Sequence, residues 1–484
     1  MLLSELVNGG GLGAAANIEI SGLAADSRDV RPGYLFAALA GTRSDGAAFI
    51  DDAIRQGAVA VLAEPRARIR QHDVAVLTDA NPRRRLAFLA ARFYGQQPSV
   101  IAAVTGTNGK TSVASFTRQI WSALGHPAAS LGTLGVFAPG LEIPLAHTTP
   151  DPVQLHRVLA ELKQRGIEHL ALEASSHGLD QHRLDAVQVA AAGFTNLTRD
   201  HFDYHPTMEG YLAAKLRLFD ALLRTGGTAV VNADDPVFPA IEAVCRGRGH
   251  RLFGYGRDGQ ALKILDLVPH QRGQHLTAEV LGRRIEVDLP LVGSFQASNV
   301  LCALGLVIAC GGDLDRSLAA LGRLEGVPGR MQWVATHPKG APIFVDYAHT
   351  PDALETVLRA LRPHVEGRLV VVFGCGGDRD RGKRPLMGGI AARLADRVIV
   401  TDDNPRTEDA AGIRQAILAA CPGAVEIGDR ATAIQTAIAD LRAGDVLVLA
   451  GKGHERGQIV GSETRPFDDA AVARSAVATG RELH

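Results

Sequence analysis

The chain has 484 residues, 46% of them hydrophobic and 21% charged, with 51 basic side chains set against 52 acidic ones. That balance gives no sign of a polyanion-binding surface or an acidic tail, so nucleic acid is not expected as a partner, and no apolar run approaches the ~18 residues of a membrane-spanning helix. Five cysteines (Cys245, Cys302, Cys310, Cys375 and Cys421) contain no C-x-x-C pair, which argues against structural zinc and a disulfide framework and suits a reducing compartment. The first ten residues lack a basic segment followed by an apolar stretch, so no secretory signal is expected and the cytoplasm is the expected location. At roughly 100–200 residues per domain, the length suggests about three domains.

In chain order, residues 1–97 form a first unit, with strands at 34–40 and 58–63 and a helix at 47–56 between them. Gln96-Gln97-Pro98 reads as a connector. Residues 98–328 alternate apolar strands (100–104, 168–172, 189–194, 228–231) with helical patterns (110–124, 153–165, 208–222), as a parallel sheet with crossover helices requires. An antiparallel ribbon is expected over 275–291, followed by a helix at 295–310. Residues 329–484 repeat the alternation, with strands at 343–345, 369–373, 397–400 and 446–449, a second doubly wound pattern. The fold class is α/β.

Between the strand at 100–104 and the helix after it lies Thr105-Gly106-Thr107-Asn108-Gly109-Lys110-Thr111. Glycines let backbone N–H groups close on an anion, and the helix N-terminus adds partial positive charge. Lys110 would reach the terminal phosphates and the Thr111 hydroxyl would serve Mg²⁺. The full Walker spacing is not met, since Val104 holds the place of its first glycine. Nucleotide binding is the sharper reading and a helix-capping turn the blander one.

Glu173 follows a strand and opens Glu173-Ala174-Ser175-Ser176-His177. A carboxylate there suits Mg²⁺, which takes one or two carboxylates plus phosphate oxygens, although a capping or ion-paired Glu would look the same. His201 lies in the polar loop Asn196-Leu197-Thr198-Arg199-Asp200-His201-Phe202-Asp203-Tyr204-His205, richer in polar side chains than a connection needs, although a lone loop histidine is more often structural than a ligand. Lys215, in the helix expected at 208–222, reads by itself as a solvated lysine.

These segments, with Gly293-Ser294-Phe295-Gln296-Ala297-Ser298-Asn299 and Asp346-Tyr347-Ala348-His349-Thr350-Pro351, occur in one order that closely resembles the Mur ligases, the ATP-dependent amide-forming enzymes of peptidoglycan precursor synthesis. The resemblance implies three domains: a UDP-sugar-binding domain (1–97), a central P-loop-type parallel-sheet ATPase domain (98–328) and a Rossmann-like C-terminal domain that chooses the amino acid (329–484). It implies that Gly106, Thr107, Asn108, Gly109, Lys110, Thr111 and Ser112 hold the ATP phosphates, with Asn299, Arg330 and Asp346 holding the rest of ATP. Lys110, Glu173, His201 and Lys215 would be catalytic. Thr111, Glu173, His201 and Lys215 would serve Mg²⁺, Lys215 as a carbamate made with CO₂.

The resemblance further implies that Ser27, His147, Thr148, Thr149, Ser175, Gln181 and Arg183 bind the UDP-sugar dipeptide, UDP-MurNAc-L-Ala-D-Glu. Two departures stand out: His147 replaces an Asn that relatives carry before the Thr pair, and Thr42-Arg43-Ser44 differs from the segment others use near the uracil. In the third domain Arg379, Asp403-Asn404-Pro405-Arg406, Gly451 and Glu455 resemble the branch of the family that adds meso-diaminopimelate. Arg406 would grip its far carboxylate as a fork and Glu455 its ammonium. Outside that context, Asp403–Arg406 is a strand-to-helix turn with a surface arginine. The partners implied are small molecules, with neither nucleic acid nor membrane, and a monomer is the expectation. The alternatives are a lysine-adding relative, which should lack Arg406; a folylpolyglutamate synthetase, whose amino-terminal unit does not resemble residues 1–97; and a nucleotide-binding regulator without catalysis, which needs no complete metal and phosphate set.

Overall fold

A computed structural model describes residues 1–8, 13–41, 45–67, 74–202, 204–270 and 273–482. The chain forms two compact units, Met1–Gly254 with Cys302–Ser317, and Tyr255–Leu301 with Leu318–His484.

The first unit opens with a four-stranded parallel sheet in chain order: β1 (Gly22–Ala24), β2 (Tyr34–Ala37), β3 (Ala58–Ala63) and β4 (Ala75–Thr78). The expected helix after β2 is a 3₁₀ turn, Gly46–Phe49, that continues as an α-helix over Ile50–Arg55. β1 and β4 were not anticipated, because three or four residues are too few to show a period. The helix Pro82–Tyr94 then begins sharply. Its Asn81 side chain accepts the Arg84 N–H, and Pro82, which lacks an N–H to satisfy, fills the first turn.

The larger sheet of this unit is built from β5 (Val100–Thr105), β6 (Ala128–Gly132), β7 (Gly135–Ala138), β8 (Leu141–Ile143), β9 (His169–Glu173), β10 (Val189–Phe194) and β11 (Leu223–Asn232), and β12 (Arg251–Gly256) carries the chain into the second unit. Along β11-β10-β5-β9-β6 every neighbouring pair is parallel, as the alternation of apolar runs and helices required. β7 and β8 fold back antiparallel. Ile101, Leu170, Leu172, Phe194 and Val231 pack in one core with Leu155 and Leu159 of the helix Pro152–Gln164. The helix expected at 208–222 is α-helical over Met208–Arg217 and widens into a π-helical turn at Leu218–Leu222.

In the second unit the expected ribbon is an antiparallel meander of β13 (Leu262–His270), β14 (Gly273–Val280) and β15 (Arg283–Leu289). Val280 pairs with Arg283, so only Leu281 and Gly282 make the turn, with φ of 50° and 81°. The main sheet comprises β16 (Gln332–Thr336), β17 (Pro342–Asp346), β18 (Leu369–Phe373), β19 (Arg397–Val400), β20 (Val425–Glu426) and β21 (Val446–Ala450), in the order β16-β17-β21-β18-β19-β20, with β16 alone antiparallel. Alternate residues serve opposite faces. Val371 and Phe373 face the helices Pro351–Leu361, Lys383–Leu394 and Ala410–Leu418, whereas Val370 and Val372 face Arg430–Ala439 and Asp469–Glu482. A two-stranded hairpin, β22 (Gly457–Val460) with β23 (Glu463–Pro466), completes the unit. The carboxyl ends of β17, β18, β19 and β21 carry Asp346, Gly374, Thr401 and Gly451, and ligands of doubly wound sheets collect at that edge.

Candidate active site

The glycine loop is clasped by the end of β10. Thr107 N–H donates to Asn196 O at 2.8 Å, Asn108 N–H donates to Asn196 Oδ1 at 2.9 Å, and Thr198 N–H donates to Thr107 Oγ1 at 3.0 Å. Gly106 sits at φ 144°, and a Cβ there would lie 1.9 Å from Thr195 Oγ1, so only glycine fits. Gly109 (φ 89°) precedes the helix Lys110–Ala123, whose first turn includes Thr111 and Ser112. Lys110 Nζ folds over the loop, donating to Gly106 O and Thr107 O, both at 2.8 Å. A glycine loop leading into a helix N-terminus, with a lysine folded over it, is a geometry that suits an anion.

Beside the loop, the buried Glu173 closes β9. Its carboxylate accepts from Thr111 Oγ1 (3.1 Å), Thr133 N–H (2.9 Å) and Thr133 Oγ1 (3.1 Å). The Glu173 carbonyl accepts from Thr149 Oγ1 at 2.8 Å, and Thr133 and Thr148 hydroxyls lie 3.0 Å apart. A Cβ on Gly132 would stand 2.0 Å from Glu173 Oε1, so this glycine makes room for the carboxylate.

Lys215 is 1% exposed, which corrects the bare-sequence reading of a solvated lysine. Its Nζ donates to Gly106 O at 2.7 Å and lies 4.3 Å from the centre of the Tyr211 ring. Burial, with the charge of Lys110 nearby, pushes its pKa well below the usual lysine range. The Tyr211 hydroxyl, 3.3 Å from Thr107 Oγ1, is pushed up by burial. His201, half exposed at φ 56°, lies 3.4 Å from Asp200 Oδ2, and its ring stands 4.9 Å from that of His177. Thus Thr111 and Glu173 are joined directly, and Lys110 and Lys215 meet on one carbonyl. Asp203 lies outside the described residues.

A cleft of about 770 Å³ in the same unit is lined by Ser27, Gln181 and Arg183 together with Asp26, Arg28, Arg55, Arg83 and Asp151. Asp26 caps the turn holding Ser27. Arg183 donates to Thr149 O and, at 2.7 Å, to Gln181 Oε1, and burial lowers its pKa. Ser175 N–H donates to Thr149 Oγ1 at 3.0 Å. These contacts connect Thr149 and Ser175 with the cleft residues, whereas His147 is exposed and does not line the cleft. Thr42-Arg43-Ser44 lie outside the described residues.

In the second unit, the buried Asp346 accepts from Met331 N–H (2.6 Å) and Ala348 N–H (2.8 Å), and burial raises its pKa despite Arg330. Arg330 lies 4.5 Å from the Tyr347 ring centre, and Asn299 donates to Gln296 Oε1 at 3.0 Å. Asn404 Oδ1 accepts from Lys452 Nζ (3.0 Å) and Ile459 N–H (2.9 Å), which leaves its Nδ2 to donate to Glu455 Oε2 at 2.9 Å. Asp403 lies 3.8 Å from the same lysine, and a Cβ on Gly451 would stand 2.7 Å from its carboxylate. Arg406, at φ 53°, donates to Gly377 O at 2.7 Å, and its backbone is bracketed by Ile459 O and Gly461 N–H of the β22–β23 hairpin. It is therefore a fixed, partly buried side chain and not the surface arginine of a plain turn. Pro405 O sits where a side chain on Gly377 would go, and Arg379 is exposed nearby.

The sequence matches three Mur ligase domains in succession: the Mur ligase family catalytic domain over residues 19–94, the Mur ligase middle domain over 104–307, and the Mur ligase glutamate ligase domain over 329–453. The chain belongs to the Mur ligase family. It is 55% identical to UDP-N-acetylmuramoyl-L-alanyl-D-glutamate–2,6-diaminopimelate ligase of Mesorhizobium japonicum, with 96% of each chain covered, and 54% identical to the protein of that name in Brucella melitensis, over 98% of this chain and 97% of the other. A solved structure of a ligase of the same name is 34% identical, covers 99% of both chains and superposes with a TM-score of 0.74. A folylpolyglutamate synthase of Mycobacterium tuberculosis, 21% identical over 81% of this chain with a TM-score of 0.64, shares the fold alone.

As a Mur ligase the chain has ATP and Mg²⁺ as its family's general requirements. Two side chains of its sites escaped the sequence reading. Lys452, 0% exposed, bridges Asn404 and Glu455, and it lies within Gly451-Lys452-Gly453-His454-Glu455, where only Gly451 and Glu455 were expected at the site. Thr133 holds Glu173 through two bonds, but nothing in its neighbourhood of sequence marks it.

Proposed function

We propose that this Mur ligase adds meso-diaminopimelate to the D-glutamyl γ-carboxyl of UDP-MurNAc-L-Ala-D-Glu, with ATP cleaved to ADP and phosphate. The observation that carries the reading is 53–55% identity, across the full set of domains, to relatives named for that reaction. The domains would be 1–97 for the UDP-sugar, 98–328 for ATP and 329–484 for the amino acid, with the enzyme acting as a cytoplasmic monomer on small molecules.

A carboxylate is inert to amines at neutral pH because oxide is its leaving group. The γ-carboxylate would attack the γ-phosphate, giving an acyl phosphate and ADP. The diaminopimelate amine would then attack the acyl carbon and expel phosphate. The two anions must approach to about 3 Å, so the protein's work is neutralisation and alignment. Lys110 and the loop amides would bind the phosphates, Ser112 and Thr111 closing the helix start, and Asn299, Arg330 and Asp346 would hold the remainder of ATP. Ser27, His147, Thr148, Thr149, Ser175, Gln181 and Arg183 would bind the UDP-sugar dipeptide.

The donor set fits Mg²⁺. Mg²⁺ takes one or two carboxylates and completes its shell with phosphate oxygens and water, and Glu173 with the Thr111 hydroxyl 3.1 Å away offers oxygens of that kind. Thr111, Glu173, His201 and carbamylated Lys215 would hold it, and bound Mg²⁺ would neutralise phosphate charge. Lys215 suits carbamylation because burial favours its neutral amine over the ammonium, and the neutral amine's lone pair adds to CO₂ with loss of a proton. At the far end, Arg406 and Arg379 would take the second carboxylate of diaminopimelate, and Glu455, held by Asn404 with Asp403, Pro405 and Gly451 around it, the ammonium. Lysine lacks that carboxylate and would leave Arg406 unpaired.

The test is to combine enzyme, Mg²⁺, ATP, the UDP-sugar dipeptide and meso-diaminopimelate and analyse the products by mass. The reading requires a product equal to the two substrates less one water, and no ADP formed without the dipeptide. Product formation without ATP, or none at all, would overturn it.

A further inference from the structure

Behind the residues that line the cleft lies a buried polar hub that no part of the proposed chemistry uses. The chain leaves the helix Ser176–Asp180 through Gln181, His182 and Arg183, with His182 at φ 56°. Gln181 and Arg183 line the cleft, but His182 does not, and it joins Asp185 instead. The Asp185 side chain is 5% exposed and gathers partners from three segments. Arg217 Nη2 reaches both of its oxygens, at 2.9 and 3.0 Å, and its Nε donates to Leu179 O at 2.9 Å. Arg84, on the helix Pro82–Tyr94, comes within 3.3 Å of Asp185 Oδ2, while its neighbour Arg83 lines the cleft.

His182 is held at both ring nitrogens. Asn81 Oδ1 accepts the Arg84 N–H, so Asn81 Nδ2 is the donor facing His182 Nε2 at 3.0 Å. Nδ1 stands 2.9 Å from Asp185 Oδ2 and 2.8 Å from Arg217 Nη2. Asp185 thus ties together the N-cap of one helix, the loop bearing Gln181 and Arg183, and an arginine two residues past Lys215. Arg217 is anchored twice, its Nη2 on the Asp185 carboxylate and its Nε on the Leu179 carbonyl, so the contact sets register and not merely attraction.

We infer that Asp185 is a positioning residue: through Arg217, His182 and Arg84 it holds the Gln181–Arg183 loop in the shape that receives the acidic nucleotide-sugar substrate. The inference rests on the ligase reading above. An adequate loop shape matters for binding that substrate and not for binding ATP or the diamino acid, so loss of the hub separates the three.

The experiment compares wild type, Asp185→Asn, Arg217→Gln and the double variant, each confirmed as folded by thermal melting. Direct calorimetric binding of UDP-MurNAc-L-Ala-D-Glu and KM values for all three substrates are measured. Asp185→Asn keeps the shape but removes the charge, and about tenfold weaker binding of the UDP substrate is expected, with KM for ATP and diaminopimelate within about twofold of wild type. Arg217→Gln removes the charged partner from the other side and keeps the test open where Asp185→Asn fails to fold. The double variant should bind no worse than the weaker single one, since both remove one interaction. Unchanged binding in a folded Asp185→Asn or Arg217→Gln protein, or an equal rise in all three KM values, would overturn the inference. Wild type that binds the UDP substrate but makes no product would sink the ligase reading while leaving the positioning role to be judged by binding. Wild type that does not bind it removes both.

Discussion

His156 gives the structure a specific sensitivity to acid. It lies on the helix Pro152–Gln164, is 1% exposed, and its Nε2 has no hydrogen-bond partner among the described residues. Burial pushes its pKa down from 6.5 to about 4. The unfolded chain therefore binds this proton at a pH where the folded chain does not. The contribution is fully present above pH 6.5, is lost as pH falls from there toward 4, and does not change further below that. Between pH 8 and pH 5 the loss amounts to about 2 kcal/mol, approaching ~3 kcal/mol at the acid limit. The variant His156→Phe has a ring of similar shape and no proton to gain. Urea unfolding of both proteins at pH 8, 6.5 and 5 measures the effect as a difference, so that His454, also pushed down to about 4 by burial, cancels. The variant should gain about 2 kcal/mol on wild type between pH 8 and pH 5. A difference that stays constant with pH would refute the reasoning and mean that the ring is solvated in the folded protein.

The other predictions concern particular side chains. Gly132→Ala would drive the Glu173 carboxylate from its place beside Thr111, so the protein should melt within a few degrees of wild type yet lose about 100-fold in turnover or demand much higher Mg²⁺, as a Mg²⁺ titration of ADP release would show. Lys452→Met would leave Asp403 and Glu455 without their buried cation, costing about 3–5 kcal/mol in denaturant unfolding and raising KM for diaminopimelate more than for ATP. Leu281→Asn should stabilise the protein by about 1 kcal/mol in the same assay, because the exposed Leu281 makes a two-residue hairpin turn at φ 50°, where leucine is strained and asparagine is at ease.

What was legible in the sequence was what is local along it. The glycine loop, Glu173 and Asp346 each follow an apolar strand directly, and strand-then-loop is written in consecutive residues. The long parallel strands β5, β9, β10 and β18 were visible because they are buried on both faces and read as unbroken apolar runs. β1, β4, β7 and β8 have three or four residues each and carry no comparable pattern. Lys215 illustrates the other limit. Taken by itself, a lysine in a helix reads as solvated, and only the approach of Gly106, 109 positions away, gives its buried ammonium a carbonyl to bond. The Asp185 hub escaped for the same reason, since Asn81, Arg84 and Arg217 come from remote segments. Lys452 was hidden by its charge: lysines are almost never fully buried, and nothing adjacent announces that Asn404 and Glu455 close around it.

The most direct test of the whole account is side-by-side turnover of the UDP-sugar dipeptide and ATP with meso-diaminopimelate, with L-lysine, and with no amino acid. The account predicts steady phosphate release with diaminopimelate, at least 100-fold lower kcat/KM with lysine, and near silence without either. Equal or faster turnover with lysine would contradict the role given to Arg406, and phosphate release that ignores the amino acid would contradict the ligase itself.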